Sequence, residues 1–165
     1  MLNESLRTLI IRELRAVQRE LDLYPDDASV WKAIPGVPNT GGTLALHLAG
    51  NLQHFIGAIL GRTGYVRDRD AEFARRDVPR AELKAGLDAA IAAVERTLDA
   101  LPPGALDGPY PEPIAKKSVH AGTFGLHLLS HLAYHLGQID YHRRVVTGDG
   151  RGIDAVSVRE LPEVS

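Results

Sequence analysis

Leu6, Leu9, Ile10, Leu14, Val17 and Leu21 recur at spacings of three and four, with Arg7, Arg12, Glu13, Arg15, Arg19 and Glu20 between them. This period predicts an amphipathic helix over about 2–23, with one buried apolar face and a charged face in water. Thr40 or Thr43 can cap a second helix running to about Gly61. Its apolar residues Leu44, Leu46, Leu48, Leu52, Phe55, Ile56, Ile59 and Leu60 cover much of the circumference, so it is expected to be the more buried helix. Pro79 fits the first turn of a third helix, where its missing N–H does no harm, and Leu83, Leu87, Ile91, Val94, Leu98 and Leu101 form the inner stripe. A fourth helical pattern spans Ser118 to Val146.

The segments between these patterns read differently. Residues 24–42 hold three prolines, three glycines and the only tryptophan, which predicts a long structured connection with Trp31 anchored to the core. A charged loop follows the second helix, and a proline-rich connection precedes the fourth. Two of the three connections are long enough to cross an end of a bundle. After a Gly/Asp turn, a short irregular tail occupies about 148–165. No run of alternating strand residues is longer than that tail, so the expected architecture is an all-α four-helix bundle with long crossover connections. At 165 residues, the chain is expected to form one domain over 1–165.

Composition narrows the function. The net charge of −2 gives no field for nucleic acid or an anionic membrane, and no apolar run approaches the roughly 20 residues of a membrane span. The N-terminus lacks the continuous apolar core of a signal peptide, and cysteine is absent, so the expected location is the cytoplasm. Without thiolates, any metal must be held by nitrogen or oxygen.

Five of the seven histidines fall in the fourth helix, and His127, His131 and His135 recur every fourth residue. At about 3.6 residues per turn, that spacing stacks them along one side, and an i, i+4 pair can grip one metal ion. Each step drifts by about 40°, so His127 and His135 diverge and all three do not easily face one ion. His131 belongs to the pair whichever neighbour joins it. A third ligand must come from elsewhere, and His47, on the buried second helix, is the best candidate because an unpaired imidazole there is costly. The competing reading makes each histidine a core or surface residue bonded to backbone. In the zincin pattern a glutamate beside the pair is the general base, whereas Leu132 stands at the matching place here. Asp68, Asp70 and Glu72 are conceivable bases, but capping and arginine pairing account for them as well. Asn51 and Gln138 are placed to hydrogen-bond the ligands from behind or, equally, to make polar contacts between helices. Tyr134 and Tyr141 lie at heptad spacing, and Tyr141 with Arg143 and Arg144 could contact an anionic ligand, although a surface or dimer contact is the favoured reading.

His131–Ile139 (HLAYHLGQI) resembles the C-terminal motif of the DinB-like superfamily of bacterial four-helix-bundle metalloproteins, two histidines four apart followed by Gly-Gln. The stretch HLAGNLQHFIGAIL from His47, followed by RDRDAEF from Arg67 to Phe73, resembles the second-helix signature of one of its subgroups. The resemblance implies that His47, His131 and His135 bind a divalent ion such as zinc or nickel. His54, His120, His127 and His142 are not ligand positions in that pattern. It further implies a homodimer, and an enzyme of the thiol-transferase or hydrolase type using a low-molecular-weight thiol or activated water at the metal. A metal-stabilised binding or stress-response module without turnover is the alternative.

Overall fold

The computed structural model describes residues 2–161. Four long helices carry the fold: α1 (Leu2–Asp22), α3 (Gly41–Leu52, continued to Leu60), α5 (Arg80–Ala100) and α6 (Ala121–Thr147). Two short helices, α2 (Asp27–Val30) and α4 (Arg69–Ala74), lie in the connections. The described residues form no strand, only isolated bridges within loops. The all-α bundle expected from the apolar period is therefore present.

Pairings between helices define the topology. Asn3 reaches the Leu98 carbonyl and Gln18 reaches Asp88, so α1 and α5 run antiparallel. Leu6 meets Gly125 and Glu20 meets Arg143, so α1 and α6 run parallel. His47 faces His131 while Gly41 lies near His142, making α3 antiparallel to α6; Gly57 and Gly61 lie against Ala93 and Thr97, making α3 parallel to α5. The order is up, down, down, up, with α1 across the diagonal from α3 and α5 across from α6. Residues 23–40 and 101–120 each cross an end, as their length predicted. Residues 61–79 must instead return the length of the bundle to begin a parallel neighbour, and this return carries α4 along the side of α3.

Local chemistry explains these elements. The Thr40 side chain accepts from the Thr43 amide and starts α3, and Asp68 accepts from the Ala71 amide and starts α4. Asp26 and Ser29 close a capping box on α2, an element that proline and glycine content hid. The Trp31 indole N–H donates to the Val78 carbonyl at 3.0 Å, which ties the first connection to the entrance of α5. Eleven of the twelve residues of α3 are buried, but the stretch Gln53–Leu60 continues in π-helical form with only Ile56 and Gly57 buried. Its wider turns end in the 2.9 Å bond from the Gly61 amide to the Ile56 carbonyl. A side chain on Gly61 would overlap Thr97, so the close approach to α5 requires glycine there.

One expectation about surface charge is overturned. Glu13 and Glu20, placed on the polar face of α1 by the pattern, are buried, and Arg143 is fully buried rather than a surface or ligand contact. Arg143 Nε donates to Glu20 Oε2 at 2.8 Å, its Nη2 to Asp140 Oδ1 at 2.9 Å, and its remaining donors to the Asp149 and Arg151 carbonyls. The reason is geometric: α6 packs on α1 closely enough that the guanidinium is enclosed, and it is tolerated because its donors are used. Tyr134 and Tyr141 are exposed as expected. The tail is irregular apart from one turn at Val158–Glu160, and its residues 162–165 lie outside the described residues.

Candidate metal centre

His47 stands midway along α3 and His131 midway along α6, so docking these antiparallel helices places one imidazole against the other. His47 Nε2 lies 3.3 Å from His131 Nε2, which lies 3.1 Å from His135 Nε2. One ligand atom from each of the three falls within 4.8 Å of the others. The three rings meet nearly edge to face, with interplanar angles of 79°, 88° and 90°.

The outer nitrogens fix the protons. Glu72 Oε2 lies 3.0 Å from His47 Nδ1, and an ionised carboxylate only accepts, so Nδ1 carries the hydrogen and donates. The 3.4 Å approach of Arg67 Nη2 to the same nitrogen is longer and does not change that assignment. His135 Nδ1 donates to Gln138 Oε1 at 2.6 Å. Both imidazoles therefore turn unprotonated Nε2 lone pairs toward His131 Nε2. One hydrogen on His131 can serve only one of them well, whereas a cation at the centre satisfies all three. Tetrahedral ligand nitrogens at about 2.0–2.1 Å from zinc are themselves about 3.3 Å apart, close to the spacings found. The donor set thus fits a divalent ion of the borderline class.

Glu72 is held in turn. Arg67 donates to it through Nε at 2.7 Å and Nη2 at 2.8 Å, a fork pairing in which Glu72 is buried and Arg67 nearly so. Burial alone would raise the Glu72 carboxyl, but the hydrogen bonds from Arg67 and His47 outweigh it and keep the group below its usual range. It stays an anion behind the site. Burial first, then the neighbouring imidazoles of His135 and His47, push His131 down to about 4. Burial likewise lowers His135, against the opposing hydrogen bond from Gln138. Neutral imidazole, the form that binds metal, is thus favoured at both positions. The Nδ1 of His131 is buried without a partner.

The other sequence candidates separate cleanly. Gln138 is the partner of His135, as its spacing suggested; Asn51 is buried, but its Oδ1 has no partner. Asp68 caps α4, and Asp70 lies exposed in the first turn of the same helix. Glu72 does pair with arginine, yet its second role, holding His47, is not visible without the fold. Only the return of residues 61–79 along α3 brings Arg67 and Glu72 to His47. His127 stands beside the site rather than in it, stacked between Phe124 and His131 at centroid distances of 5.8 and 6.3 Å. His54 packs on Phe55, and His120 precedes α6. His142 is a buried strut: Nε2 donates to the Lys32 carbonyl at 2.9 Å, and Nδ1 accepts from the Tyr24 hydroxyl at 2.7 Å.

A helical bundle in which two imidazoles from the last long helix meet one from the second defines a class of bundles whose histidines could hold a metal ion. The family model of the DinB superfamily matches residues 10–139, and the chain belongs to that superfamily. No curated protein and no solved structure matches the chain. No helix among the described residues is long and apolar enough to cross a membrane.

Proposed function

We propose that the chain is a metal-dependent enzyme in which His47, His131 and His135 hold one zinc or nickel ion. The remaining coordination is left to an exogenous low-molecular-weight thiol or to water. The observation that carries this reading is the convergence of three Nε2 atoms, two of them held as lone pairs by Glu72 and Gln138. A bound ion would supply Lewis acidity that lowers the pKa of the thiol or water beside it. The protein's own part is to orient. Glu72 and Arg67 fix the His47 ring and its tautomer, and Gln138 does the same for His135.

The choice between thiol and water turns on Glu72. A hydrolase that relies on a carboxylate base for its water would look to Glu72, and this carboxylate is spent on Arg67 and His47. A thiol deprotonated at a metal needs no such base, so the transferase reading is favoured over the hydrolase. If no thiol is used, the commitment of Glu72 favours the second reading, a metal-stabilised binding or stress-response module without turnover. A cytoplasmic homodimer completes the proposal. It follows from the family resemblance, and a stripe of exposed apolar residues on α6, Leu126, Tyr134, Tyr141 and Val145, supports it.

Metal analysis of protein purified without an affinity tag tests the site. Near-stoichiometric metal is expected, and its loss in His131→Ala; an unchanged metal content in that variant overturns the assignment. Screening the metal-loaded protein with thiols and electrophilic substrates separates the two readings. Turnover abolished by His135→Ala establishes the enzyme, and none with any thiol leaves the module. Sedimentation of the native chain reads the dimer.

A further inference from the structure

The register between α3 and α6 can be followed turn by turn. A Cβ on Gly41 would lie 3.5 Å from His142 Nδ1, Leu44 and Gln138 line one cavity, and the His47 and His135 rings lie 5.3 Å apart between centroids. A step forward on α3 is matched each time by a step back on α6, as antiparallel helices of one pitch require. The next turn pairs Asn51 with His131. Around α3, Asn51 and Leu44 stand about 40° and about 60° from His47, to the same side, so Asn51 shares the face that Leu44 turns to α6.

Each member of this pair holds an orphaned atom: Asn51 Oδ1 and His131 Nδ1 are buried without a hydrogen-bond partner. The placement of hydrogens explains both. His47 and His135 turn bare Nε2 atoms toward His131 Nε2 at 3.3 and 3.1 Å, so the hydrogen of the neutral His131 ring sits on Nε2 and its Nδ1 is a bare acceptor. Asn51 Oδ1 is an acceptor as well, and two acceptors do not bond. Glu72 and Gln138 hold the outer nitrogens of the other two rings, which leaves His131 as the one imidazole of the three without a holder.

We propose that Asn51 is the positioning residue of His131: when His131 Nε2 serves as a ligand, the ring carries its hydrogen on Nδ1 and donates it to Asn51 Oδ1. The inference rests on the reading that the three histidines hold an ion. The ring stays neutral throughout, since one hydrogen leaves Nε2 for solvent and one from solvent joins Nδ1. Two buried atoms that lack partners gain each other in that exchange. The bond therefore favours metal affinity and adds nothing to the stability of the chelated fold.

Zinc affinity of the full chain, read by competition with a chromogenic chelator, tests the pairing. Asn51→Leu keeps the volume without the acceptor and is expected to bind zinc roughly 10–100-fold more weakly. Its chelated form is expected to melt no lower than wild type, because hydrocarbon replaces an unpaired buried oxygen. Asn51→Asp retains an acceptor and is expected to stay within about threefold of wild type. Long-range proton–nitrogen correlation on isotope-labelled wild type is expected to place the His131 hydrogen on Nε2 after chelation and on Nδ1 with zinc. Four outcomes overturn the proposal while leaving the metal site standing: unchanged or tighter zinc binding in Asn51→Leu, a lower melting temperature of its chelated form, a loss of affinity that Asn51→Asp shares, or a hydrogen on Nδ1 of chelated wild type. Failure of the wild type to bind zinc overturns the site and the proposal together.

Discussion

Glu72 decides more about the candidate metal centre than any residue outside the three histidines. Its carboxylate accepts from His47 Nδ1 and from both forks of Arg67, so it fixes the tautomer that presents Nε2. Removing such a partner typically costs roughly 10–100-fold in metal affinity. Glu72→Ala is expected to weaken metal binding by that order and Glu72→Gln by less, since an amide oxygen still accepts from Nδ1; competition with a chromogenic chelator measures both. His127→Ala, by contrast, is expected to leave the affinity within about twofold, because the ring is stacked beside His131 without a nitrogen in the centre. Most of the histidine cluster and its Gln138 partner could be read from spacing. His131, His135 and Gln138 lie within one helix, where an interval in sequence is a direction in space. Glu72 could not, because its distance from His47 depends on how a loop returns, and no local period encodes that.

Among the elements, α6 carries the heaviest load. One side of it supplies two imidazoles, and another seals the bundle through Arg143, whose charge pairs with Glu20 on α1 while both side chains are fully enclosed. Removing one partner of such a pair strands the other, at a cost of about 3–5 kcal/mol. Arg143→Met is therefore expected to lower unfolding free energy by about that amount in a urea titration. A loss below about 1 kcal/mol would mean that Glu20 is neutral in the fold. The helices themselves were legible, because apolar residues at spacings of three and four need only local geometry. What was not legible was which charged residues end up inside. Glu13, Glu20 and Arg143 have the composition of a solvated face, and only close packing of α1 on α6 encloses them. The short helices α2 and α4 were hidden for a related reason: a cap and a single turn leave no period to detect.

At the scale of the whole molecule, the up-down-down-up order joins stability to protonation. Folding lowers His131 to about 4, and lowers His135 and His142, in each case mainly through burial. An imidazole in the unfolded chain titrates near ~6.5, so on acidification the unfolded state takes up protons first. The stability these groups contribute is present above about pH 6.5 and is lost as pH falls from there toward the folded values. The metal-free protein is accordingly expected to melt at a lower temperature at pH 5 than at pH 7. A melting temperature that is flat or rising over that interval, followed by circular dichroism, would contradict the neutral state of the three rings. A bound ion adds to this by mass action, about 2.7 kcal/mol at a hundredfold excess over its dissociation constant.

The order of the helices also sets a schedule. When a growing chain has completed α5, it holds His47 together with Arg67 and Glu72, but only one of the three imidazoles. The other two arrive eighty-four and eighty-eight positions after His47, on the last long helix of the chain. A ribosome-bound intermediate thus has a prepared holder and no grip. If the three imidazoles hold an ion, its acquisition is a step that follows translation of α6, governed by how much free ion the chain then meets.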